Sequence, residues 1–300
     1  MLNRRRFIAI SAALMAPLPA AAALHTETGQ ALGAKVTLRL AHPDAPAIAA
    51  RAMAEIARLE DIFSLYREGS ALMRLNAAGT LDTPPFELLE CLSLAGAVHA
   101  ASDGRFDPTV QPLWALHAAA AIAGQEVTPE ALAAARAQVG WGRVTLDPAR
   151  ITLAPGMALT LNGIAQGYIA DRVAALLEAE GLGNLLIDTG EFRALGSHPQ
   201  GGAWPVRLAQ GGTVALRGRA LATSAPLGTT FDQAGRMGHI LDPRSGRPVA
   251  GVWQAVSVSA PTAALADALS TAICLTGDEV EARSLCAAFR DVRMESLVEI

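Results

Sequence analysis

The order of strand-like and helix-like segments restricts the possible folds of this chain more than any other feature of its sequence. Short strand patterns come as neighbours, as at 144–153 on either side of Asp147-Pro148 and at 204–209 and 213–216, and helical patterns of unequal length lie between them. The regular alternation of strand and helix that builds a parallel sheet is absent from the sequence. We therefore predict an α+β fold made of one integrated domain.

The individual segments are predicted from hydrophobic periodicity and from residues that start and stop helices. The run from Lys35 to Leu40 alternates like a strand, and the strand Leu185 to Asp188 directly follows a helix that a glycine ends. The predicted helices are Ala45–Phe63, Pro85–Ala101, Pro129–Val139, Ile164–Gly181, 263–276 and 278–289, and a further strand is predicted at 253–259.

Residues 1–23 have the composition of an export signal. Arg4, Arg5 and Arg6 precede an uncharged apolar stretch that is interrupted by prolines and ends in a run of alanines. The sequence around these arginines resembles a twin-arginine signal, and ordinary Sec export is the alternative. No cysteine precedes Cys91, so no lipid-anchoring cysteine is expected at the cleavage site. We expect residues 24–300 to form a soluble periplasmic domain, at most peripheral to the inner membrane.

The charged residues and the cysteines exclude several classes of function. Lys35 is the only lysine among 24 basic residues, which excludes the phosphate-binding loop that ends in Gly-Lys-Ser/Thr. A net charge of −4 and the lack of a basic helical stripe argue against a nucleic-acid partner. Cys91, Cys274 and Cys286 lack the spacing of a metal site, and the last two have the surroundings of buried free thiols.

Asp267 and Thr271 are the first candidates for a functional site. They are four residues apart at the start of an apolar helix, so a carboxylate and a hydroxyl project from the same helical face. Oxygen ligands without nitrogen or sulfur suit Mg²⁺, which needs only one or two protein carboxylates when phosphates complete its coordination. The alternative is an ordinary aspartate that caps the helix or interacts with its dipole.

His239 is the second candidate. It precedes a tight Asp-Pro-x-Ser-Gly turn at 242–246, and the formation of this turn accounts for the residues around His239 but not for the histidine itself. A neutral imidazole near pH 7 is the usual group for removing a proton from a hydroxyl. The alternative is a histidine with a purely structural role.

Two further segments are suited to holding a ligand. Gly163 and Gly167 stand four residues apart at a helix start, where a backbone without side chains approaches a ligand closely and offers N–H groups to phosphate. Close packing of that helix on a neighbour is the alternative. Phe106 and Asp107 precede a proline, an arrangement that holds an adenine or flavin ring or simply forms a turn.

Taken together, these segments resemble the ApbE family, the flavin transferases also called FAD:protein FMN transferases. The resemblance runs through nearly the whole chain after the export signal, and its motifs occur in the family's order. They are Leu32-Gly33, DIFSLYREGSALMRLN at 61–76, GRFDPTVQPLW at 104–114, LNGIAQGYIADRVA from Leu161, IDTGEFRALG at 187–196, LATSAPLG at 221–228, HILDPRSGRPV at 239–249 and SAPTAALADALSTAICLTG at 259–277.

The resemblance implies both a fold and an activity. The family has a T-fold-like α+β domain with mixed or antiparallel sheets, flanking helices and a nucleotide groove between lobes. Its members use Mg²⁺ to cut FAD at the diphosphate and join the FMN half to a threonine of an exported or membrane redox protein, with release of AMP. The implied partners are therefore FAD and a target flavoprotein subunit that carries a threonine flavinylation motif.

The resemblance also assigns roles by position. Asp267 and Thr271 correspond to magnesium ligands, Gly163 to the residue whose carbonyl completes them, and Ser270 to a weaker candidate for the same ion. His239 corresponds to the histidine that activates the target hydroxyl. The residues that correspond to flavin-nucleotide contacts are Arg105, Phe106, Asp107, Thr160, Gln166 and Leu241.

The chain departs from the family pattern at a few positions. Thr160 stands where the family has an acidic residue, and Gln166 stands where it has lysine or glutamate. Thr189-Gly190 replaces paired glycines, and Ser224-Ala225 replaces Ser-Gly. Neutral groups in place of charged ones change nucleotide affinity, so two alternatives stay open beside the transferase: a non-catalytic FAD-binding maturation factor for a periplasmic reductase, and a pyrophosphatase that hydrolyses FAD to FMN and AMP.

Overall fold

A seven-stranded antiparallel sheet forms the centre of the computed structural model, which describes residues 23–249 and 252–300. Its strand order is β1-β2-β6-β7-β10-β13-β14. The strands are β1 His25–Ala31, β2 Ala34–Leu40, β3 Thr80–Asp82, β4 Val144–Leu146, β5 Arg150–Leu153, β6 Leu185–Asp188, β7 Phe192–Leu195, β8 Trp204–Arg207, β9 Thr213–Leu216, β10 Ala220–Ser224, β11 Leu241–Asp242, β12 Arg247–Pro248, β13 Trp253–Ala260 and β14 Arg293–Glu299. The helices are α1 Ala45–Phe63, α2 Ala71–Ala78, α3 Phe86–Ala101, α4 Gln111–Ala123, α5 Pro129–Arg136, α6 Ala165–Ala179, α7 Ala263–Ile273 and α8 Glu279–Ala287.

The two faces of this sheet are covered differently. On one face, α1, α6 and α7 pack against the strands and bury Val256 and Val258 of β13 together with Ile169 and Leu269 of the helices. On the other face, the β8–β9 hairpin buries Trp204 in a separate, smaller cluster. Apolar residues on both faces of the sheet pack against other elements. The central strands are therefore buried, and this packing fixes their positions.

A third apolar cluster lies apart from these two. It consists of Leu113 of α4, Ala135 of α5 and Leu241 of β11, with partly buried aromatic residues around them. Leu241 therefore connects the short β11–β12 hairpin to α4 and α5. This cluster and the main core form the two sides of the cleft described below.

The α+β class and the single domain are confirmed, and every strand pairing within the described residues is antiparallel rather than mixed. The helix predicted at Ala45–Phe63 has those bounds, and the strand at Leu185–Asp188 does too. The helix predicted to reach Val139 ends at Arg136, and the one predicted over 263–276 ends at Ile273. Thr128 and Thr262 cap these two helices with their hydroxyls, as Thr-initiated helices do.

The predictions about the export signal and about the cysteines have different outcomes. The export signal predicted at 1–23 falls almost entirely outside the described residues. Cys91, Cys274 and Cys286 are all free and buried, and burial raises the thiol pKa of Cys286 to about 11. Within the described ranges, no helix is long and apolar enough to span a membrane.

Candidate active site

A cleft of about 330 Å³ opens between the main core and the small cluster around Leu241. Its wall is built from segments that are far apart in sequence, including α6, α7, the end of β10 and the loop before β11. Ten of the residues to which the sequence assigned a catalytic, nucleotide-binding or metal-binding role lie on this wall: Arg105, Phe106, Asp107, Thr160, Gly163, Gln166, His239, Leu241, Asp267 and Thr271. The structure therefore brings these ten together, whereas Gly167 and the weaker candidate Ser270 do not line the cleft.

Helix α7 presents Asp267 and Thr271 to the cleft. The helix follows β13 and runs back across the sheet, so the turn-to-turn spacing of the two residues places both on the side that faces α6 and the end of β10. Asp267 is only 3% exposed, and its Oδ2 accepts a hydrogen bond from the backbone N–H of Gly167 at 3.4 Å. Burial raises the pKa of the Asp267 carboxyl to about 8.

Glu191 is a second buried carboxylate on the same wall, and sequence reasoning assigned it no role. It lies in the turn between β6 and β7, is 7% exposed, and accepts a hydrogen bond from the backbone N–H of Thr223 at 3.2 Å. Burial and the neighbouring charge of Asp267 raise its pKa well above the ordinary value. The signal that could have identified it is a carboxylate in the short turn after a predicted strand, three residues beyond Asp188.

Neither of these carboxylates has a basic side chain within ion-pair distance in the part of the chain that the structure describes. Two buried negative charges that repel one another are costly unless a cation compensates them. The donor set available to such a cation is made of oxygen atoms, which is the set that Mg²⁺ prefers. The residues present thus fit a divalent cation.

Gly163 approaches this place with its backbone. A Cβ at this position would lie 3.1 Å from Thr271 Oγ1 and 3.3 Å from the ring of Phe106, so a larger residue would crowd both. The absence of a side chain therefore allows the main chain of residue 163 to pass directly beside Thr271. The main chain of residue 163 and the hydroxyl of Thr271 thus lie side by side on the wall of the cleft.

Hydrogen-bonded hydroxyl groups of neighbouring serines hold the side chain of Thr271. Ser224 Oγ lies 2.7 Å from Ser270 Oγ and 3.2 Å from Thr271 Oγ1, and the Ser270 hydroxyl also donates to the carbonyl of Asp267 at 3.0 Å. Ser270 is fully buried and does not line the cleft. Ser270, the weaker candidate for the same ion, therefore stands behind the wall of the cleft rather than on it, and its hydroxyl bonds other groups inside the protein.

His239 lies at the rim of the cleft with its ring orientation defined. Its Nδ1 is 3.0 Å from the carbonyl oxygen of Thr229, and its own backbone N–H donates to the same oxygen at 3.1 Å. A carbonyl oxygen only accepts, so Nδ1 must carry the hydrogen and the neutral ring keeps the lone pair on Nε2. The imidazole is partly exposed. It is thus prepared to accept a proton through Nε2.

Three aromatic side chains hold the loop before β11, which carries His239, against α4. Phe231 of the loop stacks on His117 of α4, with ring centroids 5.7 Å apart, and meets Trp114 edge to face at 5.4 Å. His117 also bonds the carbonyl of Gly246 at 2.8 Å, beyond the turn that follows His239. The chain is therefore fastened to α4 on both sides of His239.

Arg105, Phe106 and Asp107 form another part of the wall, and their side chains are engaged in different ways. Arg105 forms an ion pair with Glu281 at 3.0 Å, while its buried Nε has no partner among the described residues. Asp107 Oδ1 accepts hydrogen bonds from the N–H and the hydroxyl of Thr109 at 2.8 and 2.6 Å. Asp107 thus shapes the turn in which it stands, and Phe106, 6% exposed, packs towards Gly163.

The remaining predicted contacts are neutral. The backbone N–H of Thr160 donates to the carbonyl of Pro108 at 2.8 Å, which places its hydroxyl at the wall. Gln166 opens α6 and lies against Gly190, while Leu241 contributes an apolar surface from the small cluster. These groups offer hydrogen bonds and apolar contact to a nucleotide without adding charge.

Comparison with known proteins identifies the relatives of this chain. A model of the ApbE family matches residues 32–294. A FAD:protein FMN transferase of Klebsiella pneumoniae (strain 342) is 34% identical over 245 residues, which cover 76% of this chain and 74% of the relative. The FAD:protein FMN transferase of Haemophilus influenzae (strain ATCC 51907 / DSM 11121 / KW20 / Rd) is 30% identical over 238 residues, which cover 72% and 68%.

Solved structures are similar over most of the chain as well. The apo form of the Pseudomonas stutzeri flavinyl transferase ApbE matches with a TM-score of 0.80 and 30% identity, covering 89% of each chain. The apbe protein of Thermotoga maritima matches with a TM-score of 0.79 and 25% identity, covering 92% of this chain and 97% of that one. The similarity in sequence and the similarity in fold thus extend over the same region, which contains the whole cleft.

Proposed function

This chain belongs to the ApbE family, and from that premise we propose that it is a FAD:protein FMN transferase that uses the cleft for flavin transfer. In this reaction the P–O–P bond of FAD breaks, the FMN phosphorus forms an ester with the hydroxyl oxygen of an acceptor threonine, AMP leaves, and the hydroxyl proton passes to a base. The observation that supports it best is the convergence of His239, two buried carboxylates and the nucleotide-contact residues on one wall.

His239 serves as the base. Because the Thr229 carbonyl occupies Nδ1–H, the lone pair on Nε2 is the one available to an acceptor hydroxyl at the rim. A general base of this kind contributes about 10²- to 10⁴-fold to a rate. The partial exposure of the ring allows a protein substrate to reach it.

The cation expected from the family would be held by Asp267, Thr271 and the main chain at Gly163. When bound, Mg²⁺ neutralises negative charge on the phosphate oxygens of the substrate. The protein contributes by keeping Asp267 and Glu191 buried and, among the residues that the structure describes, without basic partners, which favours a cation at this position over bulk water. Ser224 keeps the Thr271 hydroxyl in place.

FAD is expected to lie along the remaining wall, with Arg105, Phe106, Thr160, Gln166 and Leu241 as its contacts. The Nε of Arg105, which has no partner in the described part of the chain, is a buried donor of the kind that a bound ligand satisfies. The acceptor is expected to be an exported redox protein with a threonine flavinylation motif, and the chain itself a soluble periplasmic protein.

One assay distinguishes this function from its alternatives. The protein is incubated with FAD, MgCl₂ and a peptide that carries the threonine motif, beside a peptide with valine in place of that threonine. A covalently fluorescent threonine peptide supports the transferase. Free FMN and AMP without an adduct would identify a pyrophosphatase, and intact FAD bound to the protein would identify a carrier.

A further inference from the structure

The first turn of α7 is held by a neighbouring helix as well as by its own cap. The N–H groups of Ala263 and Ala264 donate to Asp171 of α6, to Oδ1 at 2.8 Å and to Oδ2 at 2.9 Å. The helix's own cap, Thr262, accepts only a longer bond from Leu265 at 3.4 Å. The short bonds at the start of α7 therefore come from α6, in a role that a residue of the same helix usually fills.

Gly167, one turn earlier on α6, brings the two backbones into contact. A Cβ at this position would lie 2.3 Å from the carbonyl oxygen of Ala263 and 2.6 Å from the nitrogen of Ala264. The N–H of Gly167 also donates to Asp267 Oδ2. Helix α6 thus contacts α7 at its first turn and again at the carboxylate one turn further on.

Asp171 is itself fixed by a third element. Its side chain is 17% exposed, and its Oδ1 lies 3.1 Å from Nε of Arg193 on β7. Arg193 follows Glu191 by two residues, so the ion pair connects the strand next to one buried carboxylate with α6, and Asp171 of α6 in turn bonds the start of α7, the helix that carries the other. The two acidic groups of the cleft are therefore linked through Asp171.

We propose that Asp171 is a positioning residue for the cation site, acting through the start of α7 to set the place of Asp267. Asp267 stands one helical turn after Ala263, so a displacement of that first turn moves the carboxylate along with it. Asp171 does not line the cleft and touches no reacting group. The inference rests on the proposed function for the presence of a cation.

The test is cation affinity, measured without catalysis. MnCl₂ alone is titrated into the whole protein and free Mn²⁺ is followed by electron paramagnetic resonance. In Asp171→Asn one N–H of α7 faces an amide NH₂ instead of an oxygen, and we expect the Kd for Mn²⁺ to rise by about 10-fold, as when outer partners of metal ligands are lost. The matched control is Thr262→Ala, which removes the other cap of α7 and should leave the Kd within about twofold.

Unchanged Mn²⁺ affinity in Asp171→Asn would overturn the inference, and so would an equal loss in Thr262→Ala, since general weakening of the helix would then explain both. If Asp171→Asn does not fold, Asp171→Ser is titrated under the same criteria. The wild type separates the two proposals: if it binds no Mn²⁺ and transfers no flavin, the proposed function fails, whereas wild-type binding with an unaffected variant removes only the role of Asp171.

Discussion

Single side chains in the cleft are constrained by bonds that the proposed reaction does not break. His239 is the clearest example, because the Thr229 carbonyl selects one tautomer and one ring orientation. Asp267 and Glu191 show the opposite condition, since both are buried and lack a basic partner within the described ranges. The orientation of the His239 ring is thus set by the protein itself, whereas the charges of Asp267 and Glu191 would be compensated by the proposed cation.

His239→Ala should reduce formation of the flavin–peptide adduct by at least about 100-fold, since the acceptor hydroxyl loses its base. Binding of FAD, followed by quenching of flavin fluorescence, should change little. His42→Ala is the matched control, because His42 lies in the loop before α1 and away from the cleft. Adduct formation at the wild-type rate in His239→Ala would show that another group removes the proton.

Addition of MgCl₂ should stabilise the wild type but not Asp267→Asn. At a concentration about 100 times the Kd, a ligand that binds only the folded state adds about 2.7 kcal/mol to the free energy of unfolding. Urea denaturation with MgCl₂ and with a chelator measures the difference. Asp61→Asn, which removes an exposed carboxylate paired with Arg67, should keep the full magnesium effect. An equal effect in all three proteins would contradict the assignment of Asp267.

At the level of elements, α6 and α7 form the framework of the site. They lie side by side on one face of the sheet and meet through Gly167 and the first turn of α7. Asp171 is the charged group at this junction, and burial raises its pKa to about 6 despite two hydrogen bonds and the nearby Arg193. The free energy of unfolding should therefore depend on pH through this junction.

The sign of that response follows from the raised pKa. Between the ordinary pKa of 3.8 and about 6, the folded state holds the Asp171 proton that the unfolded chain releases, so stability is greater below this window and falls as the pH rises through it. The loss amounts to about 3 kcal/mol at most. Urea denaturation at pH 4 and pH 7 should show a smaller decrease in Asp171→Asn than in the wild type. Equal decreases would place the pKa of Asp171 near its ordinary value.

The elements that could be predicted from the sequence are those with local signals. Thr128 before Pro129 marks the start of α5, and the spacing of apolar residues defines α1 over its full length. Helix α4 was missed because its alanine-rich sequence has little contrast between its faces, and β14 was missed because it is rich in polar residues. Strand order could not be predicted, since partners such as β2 and β6 are far apart in the chain.

The same distinction applies to the site. His239, Asp267 and Thr271 stand in motifs that can be identified along the chain, and the structure places all three on one wall. Asp171 and Glu191 also stand in motifs shared with the family, at 161–174 and 187–196, but no local pattern marks them as site residues, because their surroundings are created by β7, β10 and α7, which reach them only in the folded protein. Local patterns thus identify candidate reactive groups, and tertiary contacts determine which other groups support them.

On the scale of the whole molecule, the sheet separates two regions. One face carries the helices of the cleft, and the other carries the β8–β9 hairpin over Trp204. Substitutions in that hairpin are therefore expected to affect stability without altering the chemistry of the cleft. The small cluster around Leu241 belongs to the cleft side and links α4 to the loop of His239.

Delivery of the chain should depend on its paired arginines. Replacing Arg4 and Arg5 by lysine keeps the basic charge that Sec export requires but removes the pair recognised by the twin-arginine route. We expect the double variant to disappear from the periplasmic fraction, while Arg6→Lys is exported normally. Immunoblots of fractionated cells measure the distribution. Export of the double variant at the wild-type level would favour Sec.

The buried thiols have a consequence for the export that we propose. A reducing cytosol keeps cysteines as thiols, and an oxidising exterior joins those that can meet. Cys91, Cys274 and Cys286 are all free and buried, and burial makes a thiol unreactive. Under the export that we propose, the chain would complete its folding on one side of the membrane and work on the other with its covalent structure unchanged.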